Sequence, residues 1–131
     1  MADNLIGTWE SVSAENVDAF LDAVGASNSK QFARDNKPIL TVARVDGGWK
    51  LTTKIGDRTR DVIFPIGKEV DTVSLMGHTV KSVLTEEGGR LVEIQKWDIG
   101  DVKVVRSLEN DNLVTQTSIK DAVATIRFKR A

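Results

Sequence analysis

Turn chemistry recurs along most of this chain of 131 residues, at Asp46-Gly47-Gly48, Gly56-Asp57, Gly67-Lys68, Met76-Gly77, Glu87-Gly88-Gly89, Gly100-Asp101, Asn110-Asp111-Asn112 and Lys120-Asp121. Between these points lie runs rich in β-branched and alternating residues, such as Thr41-Val42-Ala43-Arg44-Val45, Leu91-Val92-Glu93-Ile94-Gln95 and Leu113-Val114-Thr115-Gln116-Thr117. Punctuation every 8–12 residues or so, with no helical pattern between, reads as an antiparallel meander. A first strand over residues 5–12, containing Gly7-Thr8-Trp9-Glu10, brings the count to ten. An open meander of that size leaves two unpaired edges, and closure into a barrel removes them. The expected fold is all-β: a ten-stranded antiparallel up-and-down barrel.

The period changes once. Val17, Phe20, Leu21 and Val24 recur at i, i+3, i+4 and i+7, the stripe of an amphipathic helix. Ser13 is placed to cap its start, and Gly25 sits where a left-handed C-terminal residue is wanted. A second helix over residues 27–36 offers Phe32 and Ala33 as apolar positions, and Pro38 stops it. The helix pair falls between the first and second strands, where it forms a helix-turn-helix lid over one mouth of the barrel.

Composition excludes several functions. A net charge of −1 gives no basic field for nucleic acid. With no cysteine there is neither a disulfide framework nor a thiolate metal site, and no cofactor or metal is expected. The first residues lack a positive segment followed by an apolar run, and no stretch approaches the length of a membrane span. The expectation is a single cytoplasmic domain over residues 1–131, acting as a monomer.

Several strands carry polar residues on what would be the inner face. In the last strand Ala124, Ile126 and Phe128 alternate with Thr125, Arg127 and Lys129, so the first set points inward. Over residues 102–108 neither phase is cleanly apolar: Val104, Arg106 and Leu108 share one face, Lys103, Val105 and Ser107 the other. One register puts Arg106 inside the barrel, and the other puts it in solvent. If it is inside, Gln95, Thr115 and Thr117 on adjacent strands join it in a polar wall. A guanidinium kept inside needs a partner or a purpose, because leaving it buried and unpaired costs several kcal/mol. An acidic ligand supplies such a partner through charge-assisted hydrogen bonds.

These residues resemble the intracellular lipid-binding proteins, the family of fatty-acid-binding proteins and cellular retinoid carriers. The likeness runs through Gly7-Thr8-Trp9-Glu10, Ser13-Ala14-Glu15-Asn16-Val17-Asp18, Lys37-Pro38, Gly67-Lys68-Glu69-Val70-Asp71, Val80-Lys81-Ser82, Gln95-Lys96-Trp97-Asp98 and Leu113-Val114, in order over nearly the whole chain. Val17 stands where an aromatic is usual. The resemblance implies a clam-like barrel around a water-containing cavity, with Arg106 as the interior arginine for a ligand carboxylate and Gln95, Thr115 and Thr117 beside it. It implies that Pro38, Leu40, Thr53, Ile55, Arg58, Leu75, Met76 and His78 line the tail and portal region. By the same likeness Val17, Leu21 and Phe32 form the underside of the lid. The inward phase adds Glu93, Val104, Ile126 and Phe128 to the cavity.

The likeness fails at one place. Many members end with an Arg-x-Tyr pair that joins the interior arginine, whereas this chain has Ile126-Arg127-Phe128 and no tyrosine. Arg127 is one residue out of phase, which turns it to the other face. The headgroup is then expected to rest mainly on Arg106, and tolerance of neutral lipids becomes a second possibility. Glu93 is either a solvated or arginine-paired carboxylate, or a group that holds Arg106 in the empty protein and yields to the ligand. His78, the one histidine, is expected as a polar residue at the cavity mouth rather than a metal ligand. Lys30, Arg34 and Lys37 read as a solvated helix face, or, by the family likeness, as a docking surface for anionic membranes. Trp9 reads as a plug at the closed end and Trp97 as a core residue.

The expected function is an intracellular carrier of a long-chain fatty acid or similar acidic lipid. The alternative is a carrier of a retinoid, another neutral lipid or an eicosanoid. An enzyme is not expected, since one histidine, no cysteine and no assembled nucleophile leave nothing for catalysis to use. A secreted carrier of the lipocalin type shares the Gly-x-Trp start but fits the helix pair poorly.

Overall fold

Period-two segments become strands throughout, and the computed structural model describes residues 2–73 and 78–131. A 3-10 turn over Ala2–Leu5 leads into β1 (Gly7–Glu15), followed by α1 (Val17–Ala23) and α2 (Lys30–Asp35). Nine further strands complete the chain: β2 (Ile39–Val45), β3 (Gly48–Ile55), β4 (Arg58–Pro65), β5 (Val70–Val73), β6 (Thr79–Glu87), β7 (Arg90–Trp97), β8 (Gly100–Glu109), β9 (Asn112–Ile119) and β10 (Ala122–Arg130). They form one ten-stranded sheet in the order β4-β3-β2-β1-β10-β9-β8-β7-β6-β5. Pairing of β1 with both β2 and β10 curls the meander into a barrel. Three segments differ from expectation. β1 runs on to Glu15, with a register shift between Ser11 and Ser13. Ser13 therefore lies in a strand and caps nothing; the residue before α1 is Asn16, in the left-handed region at φ 59° with no side-chain cap. The second helix is shorter than its pattern, because residues Ser27–Ser29 form a separate 3-10 turn.

Closure is also incomplete. The ladder stops at β4 and β5, which end the strand order as two edges. Among the described residues β5 spans Val70–Val73.

Two hydrophobic clusters occupy the ends of the barrel. At the closed end Trp9, Trp49, Phe64, Leu84, Leu91, Leu113 and Phe128 pack with Ala2 and Leu5 of the N-terminal turn. Trp9 is fully buried, and its Nε1 donates to Leu5 O at 2.9 Å, so this ring plugs the base as expected. At the lid end Phe20, Leu21, Val24 and Ala26 join Val102, Val104, Ile119 and Ala124. The apolar stripe of α1 thus seats the lid on β8–β10. A polar interior lies between the two clusters.

Candidate functional site

The inward face of each central strand is fixed by pairing. Arg106 on β8 faces Leu91 on β7 and Thr115 on β9, while Val104 faces Glu93 and Thr117. Of the two registers open from sequence, the inward one is adopted: Arg106 is 5% exposed and Glu93 fully buried. Arg106 lines a cavity of about 230 Å³ whose wall also includes Gln95, Thr115, Thr117, Arg60 and Trp97, while Glu93, expected on that wall, lies buried behind it.

A hydrogen-bonded chain organises the polar side of this wall. Arg106 Nη1 donates to Glu93 Oε1 at 3.0 Å. Gln95 Nε2 donates to Glu93 Oε2 at 2.7 Å, and Trp97 Nε1 donates to Gln95 Oε1 at 2.9 Å, which fixes the orientation of the Gln95 amide. From the facing wall Arg60 Nη2 reaches Glu93 Oε2 at 3.4 Å and Thr72 Oγ1 at 3.2 Å, while its Nε donates to Val73 O at 3.2 Å. Burial alone would push the Glu93 carboxyl up. The Arg106 and Arg60 guanidiniums and the bonds from Gln95 and Arg106 outweigh it, and hold the group below the usual carboxylate range. Burial pulls Arg106 down against the opposing charge of Glu93, but a guanidinium starts so high that it remains charged at neutral pH. Arg106 Nε and Thr115 Oγ1 are buried without a hydrogen-bond partner among the described residues.

The apolar side of the cavity contains many of the expected residues: Pro38, Leu40, Thr53, Ile55, Val104, Ile126 and Phe128. Others lie elsewhere. Leu21 is consumed in the lid-end cluster and Val17 packs at its edge, while Phe20 is the α1 residue on the cavity wall. Phe32 sits on α2 under Arg58, whose guanidinium lies 4.2 Å from the ring centroid, so this pair joins the lid to β4 at the rim. His78 is exposed, its ring 5.1 Å from that of Trp97. Leu75 and Met76 lie outside the described residues. The expected docking cations are largely engaged within the lid: Arg34 pairs with Asp18, and Lys30 with Asp22 at 2.8 Å, which ties α2 to α1. Lys37 stands exposed after α2.

Sequence reasoning overlooked Arg60, Phe20, Trp97 and Val102 as wall residues. For Arg60 the signal was present. In β4 the alternation of Val62 and Phe64 sets an inward phase that Arg60 shares, and Thr53 is its cross-strand neighbour. The family likeness drew attention to Arg58, which has the same phase but lies nearer the rim. A second guanidinium, that of Arg60, thus enters the interior beside Arg106.

The model of the lipocalin / cytosolic fatty-acid binding protein family matches residues 6–131. The chain belongs to that family. It is similar to a fatty acid-binding protein of Clonorchis sinensis, at 30% identity over 95% of this chain and 96% of the relative. It is also similar to fatty acid-binding protein 12 of Homo sapiens, at 26% identity over 99% and 94% of the two chains. Among solved structures, the REP1-NXSQ fatty acid transporter superimposes with a TM-score of 0.93 at 26% identity, covering 99% of this chain and 98% of its own. The family likeness thus extends over the whole barrel, including the strands that bring Arg106, Gln95 and Thr115 together. Among the described residues no helix is long and apolar enough to cross a membrane.

Proposed function

We propose that this member of the family is a non-catalytic carrier that binds one long-chain fatty acid, or a similar acidic lipid, inside the barrel. Charge counting at the cavity carries the reading. Two guanidiniums, Arg106 and Arg60, face one carboxylate, Glu93, so the interior lacks one negative charge for balance. Arg106 Nε and Thr115 Oγ1, the two buried side-chain polar atoms without a partner among the described residues, sit on neighbouring strands where a carboxylate would meet them together. The apolar wall of Leu40, Ile55, Val104, Ile126 and Phe128 then takes the hydrocarbon, whose transfer from water supplies most of the affinity. Fatty acid-binding relatives on the same strand plan support the same ligand class. We assign it to the cytoplasm, as a monomer whose lid touches membranes transiently.

Mass spectrometry of lipids that co-purify with the protein, with affinities for oleate and oleyl alcohol measured in parallel, tests this directly. The expected result is recovered fatty acid and roughly tenfold or greater preference for oleate over the alcohol, the scale of one charge-assisted pair. Equal affinity for the two would favour the neutral-lipid alternative instead.

A further inference from the structure

Arg60, counted above only for its charge, also holds a place at the seam of the sheet. β4 and β5 are the two edges at which the sheet's hydrogen-bonded ladder ends, and Arg60 bridges them with its side chain, from β4 to Thr72 Oγ1 and Val73 O of β5. The same guanidinium reaches inward to Glu93, and it lines both the interior cavity and an outer groove along the seam. Apolar Ile63 and Val73, each more than half exposed, flank that groove.

We propose that Arg60 is the second cation for an anionic lipid head, and that capturing the head unlatches the β4–β5 seam. The proposal rests on the carrier reading and extends it. Arg106 already holds Glu93 at 3.0 Å, whereas Arg60 lies farther, at 3.4 Å, and is otherwise bonded to a neutral hydroxyl and a neutral carbonyl. A carboxylate arriving at Arg106 Nε and Thr115 adds a negative charge that Arg106 alone does not balance. Arg60 is the less committed cation, and a bond to an anion is stronger than one to a carbonyl. Its guanidinium therefore turns inward and leaves Val73 O. A neutral lipid fills the same space without moving Arg60, so the seam reports the charge of the ligand and not its presence.

Two measurements test this with oleate and oleyl alcohol as probes. In the wild type, amide hydrogen exchange over Val70–Val73 is expected to be several-fold faster in the oleate complex than in the alcohol complex. In Arg60→Gln that difference vanishes, and the ratio of oleate to alcohol affinity falls about tenfold. Arg60→Lys keeps the charge and retains most of the ratio, which separates a lost cation from a damaged barrel. An unchanged ratio in Arg60→Gln, or equal seam exchange in the two wild-type complexes, overturns the proposal while leaving the carrier reading standing. Wild-type protein that binds no oleate overturns both.

Discussion

Glu93 Oε1 accepts a hydrogen bond from Arg106 Nη1 at 3.0 Å, inside a barrel whose last strand turns Phe128 toward the cavity. The pair gives the interior its own anion. An acidic ligand must share the guanidinium with a carboxylate already bonded to it, and Gln95 and Arg60 hold that carboxylate from two further sides. On the proposed carrier reading, affinity for acids depends on Glu93 as much as on Arg106.

Replacing Glu93 by Gln removes the competing charge but leaves an amide that still accepts a hydrogen bond. Empty protein should lose about 3–5 kcal/mol, since Arg106 becomes a buried charge without a counterion. Oleate affinity should rise about tenfold, because the ligand then supplies the missing charge. Urea unfolding and oleate titration of the same samples check both; stability and affinity moving in the same direction would contradict this account.

The depressed Glu93 carboxyl ties stability to pH. Its folded value lies below its unfolded value, so its contribution is present above the ordinary carboxylate range, at about pH 4.3, and is lost as pH falls through the folded value. The stability difference between wild type and Glu93→Gln should therefore stay constant from neutral pH down to about pH 5 and shrink below that range. Urea midpoints at stepped pH provide the measurement.

The lid's ion pairs predict weak electrostatic docking. Asp18 and Asp22 neutralise Arg34 and Lys30 within the lid itself, and hydrogen bonds from Lys30 and Ser27 hold Asp22 below the usual carboxylate range. Freeing both cations in an Asp18→Asn, Asp22→Asn double variant should speed lipid transfer to anionic vesicles by about fivefold per cation at low salt, with the gain fading as salt rises. Transfer to zwitterionic vesicles should not change.

Legibility from sequence varied with how strongly each segment was constrained. The meander and its strands were plain in the recurring turns, because a two-residue period between punctuating glycines has few other solutions. The inward phase of β10 followed from Ala124, Ile126 and Phe128. β8 did not yield to the same argument: Val104 and Val105 are equally apolar neighbours on opposite faces, and only the family likeness favoured Arg106 inside. Ser13 misled because an N-cap reading needs the strand to stop, and β1 instead continues past a register shift to Glu15. Arg60 was legible in the phase it shares with Val62 and Phe64 but was passed over for Arg58, whereas the open seam left no such trace. Which strand lies across from β4 is a property of closure, and no local pattern records that the ladder ends there.

The most direct test of the central claim follows a bound fatty acid carrying 13C at its carboxyl carbon by NMR, from about pH 8 to about pH 4, on either side of the ordinary carboxylate range. A carboxylate held by Arg106 and Arg60 keeps its ionised chemical shift below the pH at which the free acid protonates, and Arg106→Gln abolishes that persistence. A bound carboxyl that titrates like the free acid, or identically in wild type and Arg106→Gln, would contradict the account.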